Sequence, residues 1–233
     1  MRFETWEPVY ETILADFGFD RTADERVRDV LAGLAEPFDL ARLDVADETV
    51  VIAGAGPSLE TDLDALSDAV LSNGAVFAAS TAADRLAEAG VGVDCMVTDL
   101  DKNSETARSL TERGTPVAVH AHGDNESLVR DVVPTLDTAN VFATTQAAPR
   151  RPVRNVGGFT DGDRAAFLAD HCGARRLAFV GWDLDDDSVD PPKRRKLAWA
   201  ERLLYWLERR RGERFGVLDG RRAGIDIGAL SIE

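Results

Sequence analysis

The sequence predicts an α/β fold, a mostly parallel sheet with helices on both faces, preceded by a small helical amino-terminal segment. Three observations predict it. Six short, nearly continuous apolar runs recur from residue 49 onward, amphipathic stretches of helical period separate them, and residues 1–45 carry helical periodicity alone. Apolar runs without strict alternation belong to strands buried on both faces, the condition of a parallel sheet.

In chain order, Trp6, Tyr10, Ile13, Leu14 and Phe17 fall at three- and four-residue spacing and predict one helix; Val27, Val30, Leu31 and Leu34 predict a second. They form a helical segment, 1–45, packed on an α/β domain, 46–233. Strands are expected at 50–53, 75–78, 95–97, 117–119, 140–143 and 177–180, with helices near 59–72, 81–89, 103–113, 125–133 and 161–172. A longer helix, from about 193 to 211, draws its apolar face from Leu197, Trp199, Ala200, Leu203, Leu204 and Leu207. The Asp-rich stretch 185–191 is a loop by composition, and 215–228 reads as irregular or short-strand closure.

The 233 residues carry 42 Asp+Glu against 27 Lys+Arg, a net charge of −15, and 44% are hydrophobic. That is enough apolar material for a core, and the wrong sign for a partner made of nucleic acid or anionic lipid. The acids are 27 Asp and 15 Glu, the bases 24 Arg and only three Lys, a balance expected of a protein working at molar salt, where self-repulsion is screened. No stretch is apolar enough to span a bilayer, and the acidic start lacks a basic leader, so a cytoplasmic protein is expected. Cys95 and Cys172 read as buried thiols rather than a disulfide or metal site. Charge is uneven: residues 1–148 hold 10 bases against 28 acids and residues 149–233 hold 17 against 14, giving −18 and +3. A basic region in so acidic a chain suits a phosphate-rich ligand or a charge-complementary self-contact, which admits a homo-oligomer.

Chemistry in such a sheet gathers outside the carboxyl ends of the strands. The first strand ends in Gly54-Ala55-Gly56-Pro57-Ser58, either a turn whose backbone approaches a phosphate or a tight turn that simply needs glycine. The third ends in Thr98-Asp99-Leu100-Asp101-Lys102-Asn103. Two carboxylates two apart either converge on Mg²⁺ shared with substrate phosphates, with Lys102 to add a phosphate contact and Asn103 a polar ligand or helix cap, or form a loop that caps the following helix; the position after an apolar strand favours the metal. After the fourth come His120-Ala121-His122-Gly123-Asp124-Asn125, better suited to hydrogen bonding a substrate or phosphate than to zinc, because no third nitrogen or sulfur ligand is near. Gly157-Gly158-Phe159-Thr160-Asp161-Gly162-Asp163-Arg164 opens a helix with a Thr or Asp cap and two glycines that permit close approach of a ligand. Gly181-Trp182-Asp183 brings a carboxylate and an indole, either a stacking surface or core, to the last strand end.

The order of motifs resembles the thiamin pyrophosphokinases in the run from Phe77 to Leu86, the Asp99 and Asp101 strand end, and Phe159-Thr160-Asp161. Ser80-Thr81 and Lys102-Asn103 depart from that family, as does the helical amino-terminal segment. A closer resemblance is to the archaeal 6-hydroxymethyl-7,8-dihydropterin pyrophosphokinases, with Gly-x-Gly-Pro-Ser-Leu, Thr-Asp-Leu-Asp, His-x-His-Gly-Asp-Asn, Gly-Gly-Phe-Thr-Asp-Gly-Asp-Arg and Gly-Trp-Asp all in order across 54–183. The Asp-rich composition agrees with a halophilic version.

This resemblance implies a Rossmann-like, thiamin pyrophosphokinase-like sheet and transfer of diphosphate from ATP to a pterin hydroxymethyl group, with release of AMP, on a route to folate or methanopterin cofactors. It implies Mg²⁺ on Asp99 and Asp101, and phosphate or nucleotide at Gly54, Gly56, Pro57 and Ser58. His122, Asp124 and Asn125 would line the reacting centre, while Thr160, Asp161 and Asp163 would fix metal or nucleotide. Lys193 and Arg194 would meet phosphate, and Asp183 with Trp182 would take the pterin. The alternatives are a diphosphokinase for another alcohol such as thiamin, an Asp-x-Asp nucleotide-sugar transferase, and a non-catalytic nucleotide-binding module.

Overall fold

The computed structural model describes residues 1–66, 74–228 and 230. Six strands form one parallel sheet: β1 (Thr49–Ala53), β2 (Ala75–Ala79), β3 (Cys95–Thr98), β4 (Val117–Ala121), β5 (Val141–Thr145) and β6 (Arg176–Val180). Their order is β5-β4-β3-β2-β1-β6. The chain steps outward from β1 to β5 and then returns to lay β6 against the other side of β1. That reversal places a ligand crevice at the carboxyl ends, around the β1 and β6 turns.

Alternation along each strand divides the core in two. Val50 and Ile52 point to one face and Val51 and Ala53 to the other. Helices α1 (Phe3–Phe17), α7 (Asp161–His171) and α8 (Pro191–Arg211) cover the first face, where Trp6, Phe167 and Trp206 lie in mutual ring contact. The second is covered by α2 (Arg21–Leu34), α3 (Leu59–Ala65), α4 (Ala82–Glu88), α5 (Ser104–Glu112) and α6 (Glu126–Val132). The amino-terminal helices thus part to opposite faces at Gly18, whose φ of 69° a side chain would strain.

The expected strands agree with the observed ones to within one or two residues. The expected helix 59–72 is seen to Ala65, and its portion 67–72 lies outside the described residues. The long helix begins at Pro191 rather than 193 because Asp190 caps it, accepting from Lys193 N at 2.8 Å, and prolines suit the first helical positions. Residues 215–228 add no strand among those described; they form 3-10 turns at Gly216–Leu218 and Arg222–Gly224. Here Arg222 bonds the carbonyls of Phe215 and Leu218, and Glu208 accepts from Phe215 N, so side chains satisfy the backbone in place of a sheet edge. Cys95 is buried and Cys172 half-buried, both as free thiols. Among the described residues no helix is long and apolar enough to cross a membrane.

Candidate active site

The carboxyl ends of the strands, with the starts of α7 and α8 and the turn between α1 and α2, enclose a cavity of about 650 Å³. At the end of β3 the chain turns through Leu100, whose φ of 69° is uncommon for a non-glycine residue, and Leu100 N donates to Thr98 Oγ1. Its side chain enters the core while Asp99 and Asp101 both reach the cavity. Burial acts to raise the Asp99 carboxyl, but hydrogen bonds from His122 and Asp101 outweigh it and hold it below the ordinary carboxylate range. Asp101 is pushed up by burial and by the Asp99 charge beside it. One proton is therefore held more readily by Asp101 than by Asp99.

After β4, His122 Nε2 stands 3.4 Å from Asp99 Oδ2. Asn125 fixes this arrangement from behind. Its Nδ2 donates to the carbonyls of Asp99 (2.9 Å) and His120 (2.7 Å), and its Oδ1 accepts from His122 N. His120 turns inward, paired with Thr144 Oγ1, and burial keeps its imidazole well below its usual pKa and hence neutral. From α2, the buried carboxylate of Asp24 accepts from Gly123 N (2.7 Å), Tyr10 Oη (2.8 Å) and Gln146 Nε2 (2.7 Å).

Across the cavity, Asp163 accepts from Phe159 N, Thr160 N and Thr160 Oγ1, closing a reciprocal cap on α7. Asp161 faces the cavity, and burial together with the Asp99 charge pushes its carboxyl up to about 7. The paired glycines answer to packing against α7: a Cβ on Gly157 would meet Phe167 at 2.7 Å, and one on Gly158 would meet Arg164 Cα at 2.5 Å. The first glycine turn is likewise closed on β6. Gly54 N, Gly56 N and Ser58 N donate to Val180 O, Gly181 O and Asp183 Oδ2. Its amides are mostly spent, so the turn offers a ligand its surface rather than a ring of free N–H groups.

Gly54, Gly56, Pro57, Asp99, Asp101 and His122 line the cavity, as do Asp124, Thr160, Asp161, Trp182, Asp183 and Lys193. Ser58, Asn125, Asp163 and Arg194 do not: the first three are committed to the hydrogen bonds above, and Arg194 lies exposed, reaching back to Asp187 O and Val189 O. The cavity adds residues that sequence reasoning did not single out as site residues, Asp24, Gln146, Arg164 and Lys196. Asp24 gave no signal because an acid in a first helical turn is routine, and Lys196 was hidden in a basic run. The arginines of the second half, expected to serve a phosphate, are largely spent on internal pairs, among them Arg150 with Asp29, Arg195 with Asp16, Arg211 with Asp170, and Arg222 with Glu208.

Sheet and cavity together define a class, a parallel α/β protein whose single-ended site of carboxylates, imidazole and cations suits an anionic, oxygen-rich ligand. Within that class, the chain belongs to the family described as 6-hydroxymethylpterin diphosphokinase MptE-like, which matches residues 29–188. It is 39% identical over 229 residues to the 6-hydroxymethyl-7,8-dihydropterin pyrophosphokinase of Methanothermobacter thermautotrophicus, covering 90% of this chain and 96% of that relative. Proteins of the same name from Pyrococcus furiosus and Methanocaldococcus jannaschii are 37% and 32% identical, each over 89% of this chain and 95% and 96% of their own lengths.

Proposed function

We propose that this chain transfers diphosphate from ATP to the hydroxymethyl group of 6-hydroxymethyl-7,8-dihydropterin and releases AMP, a step toward folate or methanopterin cofactors. The observation that carries the reading is the meeting of Asp99, Asp101 and His122 in one cavity at the carboxyl ends of the sheet. The relatives' shared name, over nine-tenths of the chain, supports it.

In this reaction the hydroxymethyl oxygen bonds the β-phosphorus, the bond from that phosphorus to the oxygen bridging toward the α-phosphate breaks, and that oxygen leaves on AMP. Catalysis of this kind is chiefly positioning and charge neutralisation. The hydroxyl proton leaves to water along the wall that His122, its Nε2–H directed at Asp99, forms with Asp124. Thr160 and Asp161 at the start of α7 close over the phosphates, with Lys193 on the facing helix. Asp183 has Oδ1 left for the guanidine-like edge of the pterin, beside the Trp182 ring.

Among the described residues no three His, Cys, Asp or Glu side chains gather as a closed metal cage. Two hard carboxylates fit Mg²⁺, which commonly leaves its other positions to phosphate oxygens and water. Asp99 and Asp101 would hold it, and it would supply charge neutralisation on the phosphates when bound. The reaction belongs in the cytoplasm, with ATP and a pterin as partners and no nucleic acid or membrane.

Purified protein given Mg²⁺, ATP and 6-hydroxymethyl-7,8-dihydropterin is expected to form AMP and the pterin diphosphate, and to leave thiamin untouched. ADP as product, or no turnover at molar KCl, counts against the reading. Asp101→Asn is expected to lower kcat at least about 100-fold with its melting temperature little changed; full activity in that variant removes the metal assignment.

A further inference from the structure

Arginine is the ordinary cation of this chain, 24 against three lysines. Among the described residues, every ion pair made by a Lys or Arg is made by an arginine. The three lysines, Lys102, Lys193 and Lys196, all line the cavity. The one arginine that joins them there among the described residues is Arg164, whose guanidinium is tied to Asp161 and the Phe159 carbonyl. Two separate elements supply the lysines: the turn after β3 brings Lys102, and the first turns of α8 bring the other two.

Were these groups present only to neutralise Asp99, Asp101 and Asp161, they would have closed on them as the arginines close on their acids. They have not, which leaves three ammonium groups of one sign over a site of acids. Such an arrangement waits for a polyanion. Lysine rather than arginine has a physical sense here: a compact charge on a flexible stem can follow a phosphate chain that changes partners, whereas a guanidinium fork locks onto one geometry.

We propose that Lys102, Lys193 and Lys196 clamp the diphosphate that is transferred, a role that rests on the diphosphokinase reading. The clamp grips the β- and γ-phosphates and leaves the nucleoside monophosphate to other walls of the cavity.

Calorimetric titration of the full chain at fixed ionic strength, with inorganic tripolyphosphate and separately with AMP, tests this. Lys193→Met and Lys196→Met are each expected to weaken tripolyphosphate binding about tenfold while AMP binding changes less than about threefold. Lys193→Arg is expected to keep tripolyphosphate within about threefold of the parent, which also controls for folding. Unchanged tripolyphosphate affinity in the methionine variants overturns the clamp, as does an equal loss for AMP or an arginine variant as weak as the methionine one. The probe is inorganic, so the two readings fail separately. Lysine-dependent tripolyphosphate binding without pterin turnover would sink the diphosphokinase assignment alone, and pterin turnover with lysine-independent binding would sink the clamp alone.

Discussion

The carboxylate of Asp24 joins both amino-terminal helices, the turn after β4 and the residue that follows β5, by accepting from Tyr10, Gly123 and Gln146. Removing it would leave three donors without a partner in a region only 2% exposed at Asp24. At about 1–3 kcal/mol for each stranded buried group, and allowing for relaxation, Asp24→Ala is expected to lose about 3–5 kcal/mol in urea unfolding. Asp24→Asn is expected to lose less, because its amide oxygen can still accept from Gly123 N; equal losses would show that the hydrogen bonds are not the cause. This residue was invisible in the sequence. Asp99 and Asp101 were legible because an apolar strand ran straight into them, and a strand's carboxyl end fixes where a side chain goes. The glycines at 157 and 158 were legible as special positions, but their partners are Phe167 and Arg164 on the first two turns of α7, contacts that no local pattern reveals.

At the scale of the element, α8 shows how a basic run divides between roles. Its first turns give lysines to the cavity, while farther along Glu208 holds Arg222 and accepts from Phe215 N, pinning the turns that follow the helix. Burial works to raise Glu208, but the Arg222 and Phe215 hydrogen bonds outweigh it and leave its carboxyl below the ordinary value. A depressed carboxyl stabilises the fold above the unfolded pKa, and that contribution is lost as the pH falls through the folded one. Arg222→Ala is therefore expected to cost about 2–4 kcal/mol at pH 7. The gap from the parent protein should narrow below about pH 4.5, near the ordinary Glu value. Parallel acid-unfolding curves for parent and variant, with no narrowing, would refute the ion pair as the cause. Composition located the positive charge of this half; which guanidinium meets which acid depends on tertiary contacts such as that between α8 and residue 16.

For the whole molecule, the net charge of −15 sets a solvent dependence. Screening falls to about 3 Å at 1 M salt, which relieves repulsion among surface acids. The melting temperature is expected to rise by at least about 5 °C from 0.1 to 2 M KCl, read by circular dichroism; a fall would mean that the arginine pairs at the surface matter more than the excess of acid. The sheet was the most legible part of the fold, because doubly covered strands leave unbroken apolar runs. Strand order and the parting of α1 and α2 to opposite faces were not, since they are set by contacts between distant segments. The pairing of β1 with β6 joins Thr49 to Arg176, so one of the two neighbours of the first strand, the edge strand β6, is made long after it. On the ribosome, a nascent chain that already holds β1 to β5 still lacks α7, β6 and α8, and with them most of the cover over one face of the sheet. Such an intermediate has the two aspartates but not the opposite wall, and it exposes apolar surface that chaperones bind. Ligand capture is thereby postponed until α8 has been made, and products truncated before it are left without a usable site.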